Sequence, residues 1–210
     1  MILRIDDYPS GIRPIQDGQI EMFGRMLNEL PAMFLGIVPT TYDSFDCKLH
    51  ETHENVIPCM HGYTHGYEKH SGRLTSSGDI FNNNSIGVFN EFEGLERENI
   101  LTQLKTGKKS LEQRFGRDVN TYIPCCNIID EPLCEMLAEV GFRNILCEKE
   151  VKSPIPIIRS DYYGKLDKID FKKRYWVVTL HITWEWDIVR VQGWDYWLDL
   201  VKKFRDGYLI

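Results

Sequence analysis

The sequence predicts an α/β protein with a mainly parallel sheet of about seven strands. Two patterns support this fold class. Short apolar runs alternate with stretches that carry the apolar spacing of amphipathic helices, which is the order of β–α–β units. The apolar runs are also continuous, as expected for parallel strands that are buried on both faces of a sheet. Periodicity alone does not distinguish an open sheet from a barrel.

The first half of the chain predicts three strands and one helix. Residues 2–5 form an apolar run typical of a strand, and residues 33–38 and 56–60 form two more. Between the first two runs, apolar residues at i, i+3, i+4 and i+7 predict a helix that ends before Pro31: Phe23, Met26, Leu27 and Leu30. Residues 72–94 are rich in Gly, Ser and Asn and predict a long loop.

The second half predicts further strands and helices in alternation. Strands are expected at four apolar runs: residues 121–124, 144–147, 156–159 and 175–181. The longest helix is expected over residues 95–115, with one apolar face: Leu101, Leu104, Leu111 and Phe115. Pro132 in a first turn and Gly141 as a cap delimit the next helix, whose stripe is Leu133, Met136, Leu137 and Val140. The final helix is marked by Trp194, Trp197, Leu198 and Val201.

Composition excludes several classes of protein. The chain has 210 residues without a repeat, low-complexity tract or linker, so we expect a single domain over residues 1–210. A hydrophobic fraction of 42% and a charged fraction of 27% are ordinary for a globular protein. The formal net charge of −6 argues against a nucleic-acid partner, because phosphate binding needs clustered Lys and Arg. No apolar run reaches the roughly 20 residues that span a bilayer.

The amino terminus and the cysteines bear on the compartment. Arg4, Asp6 and Asp7 follow Met1 too closely for the apolar stretch of a secretory signal, so we expect a cytoplasmic protein. The 6 cysteines are then expected to be reduced thiols. They form no Cys-x-x-Cys pair, so neither a zinc ribbon nor a thioredoxin-type site is predicted.

Polar side chains directly follow most of the predicted strands. Asp6-Asp7 ends the first strand, His61 ends the third, and His181 ends the last. The fourth strand ends in Pro124-Cys125-Cys126-Asn127, and Asp161 follows the sixth. Because the C-terminal ends of parallel strands lie at one edge of a sheet, these side chains are expected to converge on one cleft.

Two histidines and two aspartates have the pattern of metal ligands. His61 and His65 are spaced i, i+4, which places two imidazoles on one side of a helical turn. The adjacent carboxylates of Asp6 and Asp7 repel each other, and both stay ionised only near a cation or hydrogen-bond donors. Imidazole nitrogen and carboxylate oxygen suit a divalent metal such as zinc. Each pattern also occurs without a metal, and a lone histidine such as His181 is commonly a hydrogen-bonded core residue.

Taken in order, these motifs resemble those of a known family. Asp6-Asp7, His61-x-x-x-His65, Tyr122-Ile123-Pro124 and Leu180-His181 occur in the order found in the polysaccharide deacetylases, carbohydrate esterase family 4. The chain is most similar to a shorter, divergent cytoplasmic branch of that family, and the resemblance covers most of its length. It implies a distorted or incomplete (β/α) barrel that forms one deacetylase-like catalytic domain.

The resemblance also implies a role for each motif residue. Asp7, His61 and His65 would bind the divalent metal, most readily zinc. Asp6 would act as the general base and His181 as the general acid. The reaction would be hydrolysis of an amide, releasing an N-acetyl group from a sugar or related substrate.

Four further residues are candidates for substrate binding. Pro124 and Cys126 follow the fourth strand, and a backbone N–H near Cys126 would stabilise an oxyanion. Trp184 and Trp186 lie just after His181, and aromatic rings stack on sugars, although core packing is the alternative for both. The expected partner is an N-acylated small molecule, with no nucleic acid and no membrane span.

Several positions depart from the family pattern. Gly62 follows the first histidine, where the family usually has Ser or Thr to support the turn. Ile123 stands where the third motif usually has an Arg that holds the base, and Asn127 stands where that motif ends in Gly. The fourth motif, an Asp followed by Trp, has no clear match, with Asp161 and Asp170 as candidates.

Two other functions remain open from the sequence. The altered third motif is consistent with a catalytically silent carbohydrate-binding or scaffold protein that keeps the fold. A cysteine hydrolase, with Cys125 or Cys126 as nucleophile beside His181 or His61, is a further alternative, although nothing in the spacing requires it.

Overall fold

The sheet of this protein is parallel throughout. The computed structural model describes residues 2–8, 17–30, 32–42, 53–64 and 91–208. Within these ranges it has eight strands, numbered in chain order: Ile2–Tyr8 (β1), Met33–Ile37 (β2), Val56–His61 (β3), Thr121–Ile123 (β4), Asn144–Leu146 (β5), Ile157–Ile158 (β6), Tyr162–Tyr163 (β7) and Val177–His181 (β8). The order across the sheet is β6-β5-β4-β3-β2-β1-β8-β7, which makes β6 and β7 the two edges.

This strand order is that of an incomplete (β/α) barrel. Strands β1 to β6 lie side by side in sequence order, and β8 returns to pair with the other side of β1. The sheet curls into a half-barrel, which confirms the predicted fold class. The strand missing from the prediction is β7, whose two residues are too few to produce a periodic signal.

The helices of the described ranges follow the strands. They are Asp17–Glu29 (α1), Pro39–Tyr42 (α2), Arg97–Phe115 (α3), Glu131–Val140 (α4), Ile182–Gln192 (α5) and Trp194–Tyr208 (α6), with 3₁₀ turns at Cys125–Asn127 and Leu166–Lys168. Helix α4 has the predicted ends. Pro132 lies in its first turn, and Gly141 caps it in the left-handed conformation with φ 92°. The side chain of Asp130 also accepts a hydrogen bond from the N–H of Leu133 at 2.9 Å.

Helix α5 is the main element that the sequence patterns do not predict. It begins directly after His181 with Ile182 and Thr183, two β-branched residues that favour strands. The apolar run from residue 175 therefore continues without a local signal for a helix. Packing of α5 against α1 and α6 determines its conformation instead. The preceding strand, β8, begins at Val177 rather than at residue 175, so it is shorter than predicted.

The two faces of the sheet have different surroundings. Outward side chains pack with the helices in the main core, among them Leu3, Ile5, Leu35, Tyr122 and Leu180. Inward side chains form a second, smaller cluster: Cys59, Ile123 and Leu146. Because side chains alternate along a strand, Arg4, Asp6, His61 and His181 share this inner face. The residues predicted to act in catalysis, Asp6 and His181, therefore lie on the inside of the barrel.

The loop expected at residues 72–94 lies outside the described residues, except for residues 91–94, which form a turn. Within the described ranges, no helix is long and apolar enough to cross a membrane.

Candidate active site

Three of the residues predicted to act in catalysis or metal binding lie at the C-terminal ends of their strands, on the same side of the sheet. Asp6 and His181 are direct neighbours in the register of β1 and β8. His61 ends β3, two strands from β1, where it lies opposite Ile123 of β4. The three side chains are buried, with 2% of Asp6, 3% of His61 and 7% of His181 exposed. This edge is where parallel sheets form their active sites.

Strand β1 carries a bulge at the aspartate pair. Its register with β2 passes from Ile5 opposite Leu35 to Tyr8 opposite Ile37, so β1 holds one residue more than β2 over this interval. An extra residue bends a strand and redirects its side chains, and such bulges are common beside active sites. The bulge therefore interrupts the strict alternation of side chains at Asp6-Asp7. The side chain of Asp7 lies outside the described part of the structure.

Asp6 forms a two-point ion pair with Arg4, two residues earlier on the same strand. Arg4 Nε donates to Asp6 Oδ1 at 2.7 Å, and Arg4 Nη2 donates to Asp6 Oδ2 at 2.6 Å. The third guanidinium nitrogen, Nη1, donates to the carbonyl oxygen of Leu146 on β5 at 3.2 Å. Arg4 is only 1% exposed, so the whole pair lies inside the barrel.

The charges around Asp6 keep it ionised. Burial raises the pKa of its carboxyl, but the charge of Arg4, the hydrogen bonds from Arg4 and the electrostatic effect of the two imidazoles lower it by more. The pKa of Asp6 therefore lies below its ordinary value. The carboxylate form is the one that accepts a proton.

His61 is held by the neighbouring strand. Its Nδ1 lies 3.1 Å from the carbonyl oxygen of Ile123. A carbonyl oxygen only accepts hydrogen bonds, so Nδ1 carries the proton and Nε2 has the lone pair in the neutral ring. Metal-bound histidines commonly have this arrangement, in which the second ring nitrogen donates to a backbone carbonyl.

The turn after His61 is braced by a buried carboxylate, Glu91. Its two oxygens accept hydrogen bonds from the N–H of Tyr63 at 3.0 and 3.2 Å and from the N–H of Thr64 at 3.2 Å. The hydroxyl of Tyr122 donates to the same carboxylate at 3.2 Å. Gly62 has φ 64°, and a Cβ there would overlap the Glu91 carboxylate and the Cys125 sulfur. Glycine at this position thus makes room for Glu91.

His181 lies in an aromatic cluster formed with Tyr163 and Trp184. The Tyr163 hydroxyl is 3.0 Å from His181 Nε2. The Trp184 ring lies against the imidazole with a centroid distance of 4.1 Å and an interplanar angle of 31°. Tyr163 is 45% exposed, so this cluster connects the buried histidine to solvent.

The segment after β4 has an unusual backbone. Pro124 is buried, Cys126 is exposed, and Cys126 and Asn127 have φ of 54° and 55°. Two successive non-glycine residues in the left-handed region cost about 1–3 kcal/mol each, and such strain concentrates at functional sites. The Cys125 thiol meanwhile donates to the carbonyl oxygen of His61 at 3.8 Å, which ties this turn to β3.

Three other polar or aromatic residues of this half of the chain have structural partners. Trp186 packs in the helical layer, edge-on to Trp194 at 5.9 Å and against Gly18. Asp161 Oδ2 accepts from the N–H of Val177 at 3.0 Å and so links the start of β8 to the segment just before β7. The buried carboxylate of Glu185 accepts from the N–H of Leu166 at 2.9 Å and from the Trp197 indole at 3.0 Å.

Two of the three predicted metal ligands cannot be placed. The side chain of Asp7 and all of His65 lie outside the described residues. Within the part of the chain that is described, no group of three or more His, Cys, Asp or Glu side chains is close enough to hold a metal ion. The metal site stays a prediction, to which the structure contributes the tautomer of His61.

Solved structures of similar shape decide the fold family. A family 4 carbohydrate esterase from Streptomyces lividans, in complex with acetate, matches 98% of this chain and 85% of its own with a TM-score of 0.52 and 9% identity. The chain has the fold of the family 4 carbohydrate esterases. A family 4 pseudoenzyme from Bacillus anthracis matches 99% of this chain with a TM-score of 0.54 and 12% identity. A mutant of a family 4 pseudoenzyme, with restored enzymatic activity, gives a TM-score of 0.55 and 13% identity.

The family 4 esterase fold is evident from shape rather than from sequence. No family model matches the chain, and no curated protein matches it significantly. The chain spans only 62% and 64% of the lengths of the two pseudoenzyme structures. The fold supports both of the functions considered from the sequence, because enzymes and pseudoenzymes share it.

Proposed function

We propose that this protein is a metal-dependent amide hydrolase that removes an N-acyl group from a sugar or related small molecule. The observation that carries the proposal is the burial of Asp6, His61 and His181 at the C-terminal edge of the sheet in the family 4 esterase fold. An ionised carboxylate beside two imidazoles is the set of groups that hydrolysis of an amide needs.

The metal would be held by Asp7, His61 and His65. The His61 tautomer fits this role, because its Nδ1–H is engaged by the Ile123 carbonyl and Nε2 has the lone pair. Two imidazoles and one carboxylate favour zinc. When bound, a divalent cation polarises the substrate carbonyl and makes a water more acidic.

Asp6 and His181 would move the protons. Asp6 accepts the proton of the attacking water, and His181 donates one to the leaving nitrogen, which is a poor leaving group without it. The two residues are direct neighbours in the register of β1 and β8, which supports their acting on the same substrate. A backbone N–H near Cys126 would stabilise the oxyanion, and Trp184 with Pro124 would form the wall beside the acyl group.

Acetate release tests this proposal. The zinc-loaded protein is incubated with a panel of N-acetylated amino sugars, and acetate is measured. Asp6→Asn and His181→Asn are each expected to lower kcat by about 100-fold or more. His53→Asn and Asp118→Asn are the matched controls, because both lie away from the predicted site, and they should keep full activity. Equal activity in all five proteins would refute these roles for Asp6 and His181.

The second candidate is a catalytically silent binding protein. Its support is the presence of pseudoenzymes among the structural neighbours, together with the apolar Ile123 in the third motif. This function predicts tight zinc and sugar binding without acetate release from any member of the panel. Acetate release, measured on protein that calorimetry shows to bind zinc and the sugar, separates the two functions.

A further inference from the structure

We infer that Arg4 positions the predicted base Asp6, and that the barrel interior is built around this pair. The inference rests on the proposed function, because it concerns how Asp6 acts. It also makes a structural claim about the Asp6 side chain that is testable in the absence of turnover.

The geometry of the pair fixes the plane of the carboxylate. Arg4 binds both oxygens of Asp6 at once, with donor–acceptor distances of 2.7 and 2.6 Å. Two parallel charge-assisted bonds between planar groups restrict rotation about the last side-chain torsion far more than one bond does. The hydrogen bond from Arg4 Nη1 to the Leu146 carbonyl anchors the guanidinium itself on β5. Asp6 keeps a second lone pair on each oxygen for a proton.

Asp6 is the main charge partner of Arg4. The other nearby carboxylate, Glu148, lies 3.9 Å from Arg4 Nη1, beyond hydrogen-bond distance. The neighbouring Cys59 is fully buried, and burial raises the pKa of its thiol, so it stays neutral. Among the described side chains, Asp6 is the carboxylate that hydrogen-bonds to this buried guanidinium, which therefore holds Asp6 in place.

The neighbouring strands leave space for the pair on the inner face. A Cβ at Gly36 of β2 would lie 3.2 Å from Asp6 Oδ1 and 3.1 Å from Cδ1 of Ile123. Ile123 therefore borders the same space as Asp6 but offers no charge. The resemblance places the arginine that holds the base at position 123, and here β1 supplies a guanidinium from position 4 instead.

General stability does not account for such a pair. Removing a guanidinium and a carboxylate from water costs about as much as their attraction returns, and apolar residues often replace buried ion pairs without loss. Positioning of Asp6 gives the pair a function that apolar residues lack.

Substitution of Arg4 by lysine is the main test. Arg4→Lys keeps the charge but replaces the planar fork with one point charge, so the protein should fold while Asp6 loses its fixed orientation. We expect kcat to fall about 10- to 100-fold with KM and zinc affinity changed less than threefold. Arg190→Lys is the matched control, because Arg190 pairs with Asp187 at the surface. An Arg4→Lys protein with kcat within twofold of the unmodified protein would overturn the inference.

Relocating the guanidinium provides the second test. Arg4→Met leaves Asp6 buried without a partner and is expected to be inactive or unstable. Arg4→Met with Ile123→Arg restores a guanidinium to the same space from β4. The kcat of this double variant should be at least tenfold higher than that of Arg4→Met alone. Arg4→Met with Asp6→Asn should fold, since no charge is left unpaired. Failure of the relocated arginine to recover either folding or activity counts against the inference.

A crystallographic readout separates this inference from the proposed function. If the unmodified protein releases no acetate, the proposed function fails, but the Asp6 orientation is still observable. Crystal structures of the unmodified protein and of Arg4→Lys should then differ in the plane of the Asp6 carboxylate. An unchanged Asp6 side chain in Arg4→Lys would refute the positioning role regardless of activity.

Discussion

Arg4, Glu91 and Glu185 are charged residues that lie almost completely buried, with 1%, 6% and 1% of their surfaces exposed. Burying a charge costs several kcal/mol unless partners compensate. Each of the three residues has hydrogen-bond partners that offset this cost, fully or in part. The partners of Glu91 and Glu185 come from distant parts of the chain, such as Tyr63 and Leu166. No sequence pattern identifies Glu91 or Glu185 as buried. For Arg4 there is a local signal, because it lies inside an apolar strand.

Glu185 makes the stability of the protein depend on pH. Burial is the main cause that raises its pKa to about 7, above an ordinary value of 4.5, and the hydrogen bonds from Leu166 and Trp197 offset burial only in part. The folded state therefore binds more protons than the unfolded state between these two values. The free energy of unfolding is highest below pH 4.5 as far as Glu185 is concerned, and it falls as pH rises through 7.

Glu185→Gln should remove this contribution. We expect the unfolding free energy of the unmodified protein to fall by up to roughly 3 kcal/mol between pH 5 and pH 8 relative to Glu185→Gln. Urea denaturation of both proteins across this range measures the difference. Glu135→Gln, an exposed change on α4, should follow the unmodified protein. Parallel pH curves for the unmodified protein and Glu185→Gln would contradict the prediction.

Among the elements, the turn after β3 shows how a departure from a family pattern is compensated. The expected Ser or Thr is replaced by Gly62, and the Glu91 carboxylate holds the backbone N–H groups of Tyr63 and Thr64 instead. The carboxylate comes from a residue 28 positions away from Tyr63. Sequence reasoning identified Gly62 as a loss of support, whereas the fold supplies the support from elsewhere.

Glu91 and Gly62 are expected to be coupled energetically. Glu91→Ala removes the acceptor of two backbone N–H groups and should cost about 2–5 kcal/mol of unfolding free energy. Gly62→Ser, although it restores the family residue, should also destabilise, because its φ is positive and its Cβ overlaps Glu91. Gly62→Ser should cost less in the Glu91→Ala background, where the overlap with the Glu91 carboxylate is removed and only that with the Cys125 sulfur remains. A double-mutant cycle by urea denaturation measures this, and strictly additive effects would refute the coupling.

Predictability differs among the elements for physical reasons. Strands β1 to β6, strand β8 and helices α1, α3, α4 and α6 follow from the apolar patterns of the sequence, because their own side chains decide which face is buried. Helix α5 and strand β7 do not follow from it. The first is strand-like in composition and the second is two residues long, so contacts with neighbouring elements decide both.

For the molecule as a whole, the family 4 esterase fold persists at 9–13% identity. The alternation of strands and helices specifies the α/β class, and the polar residues at the strand ends indicate where the predicted site lies. Whether this site binds a metal is a property of the folded molecule, since Asp7 and His61 belong to two separate strands.

Metal binding should stabilise the whole fold. A ligand at 100 times its Kd adds about 2.7 kcal/mol to the stability of the folded state, which for a chain of this size raises Tm by roughly 5–10 °C. We expect the chelated protein to gain this increase on addition of zinc. His61→Asn should abolish the increase, and His53→Asn should retain it. Absence of a Tm shift with zinc, cobalt, nickel and manganese would argue against a metal site.

The sequence by itself determined the α/β class, most strand and helix positions, and the placement of Asp6, His61 and His181 at strand ends, because these depend on side chains close together in the chain. Only the tertiary structure decided how the charges inside the barrel are balanced. Arg4 is anchored on Leu146, and Glu91 reaches the turn at Tyr63 and Thr64. Such contacts join residues far apart in the chain, and they exist only after the sheet has curled and brought its inner face together.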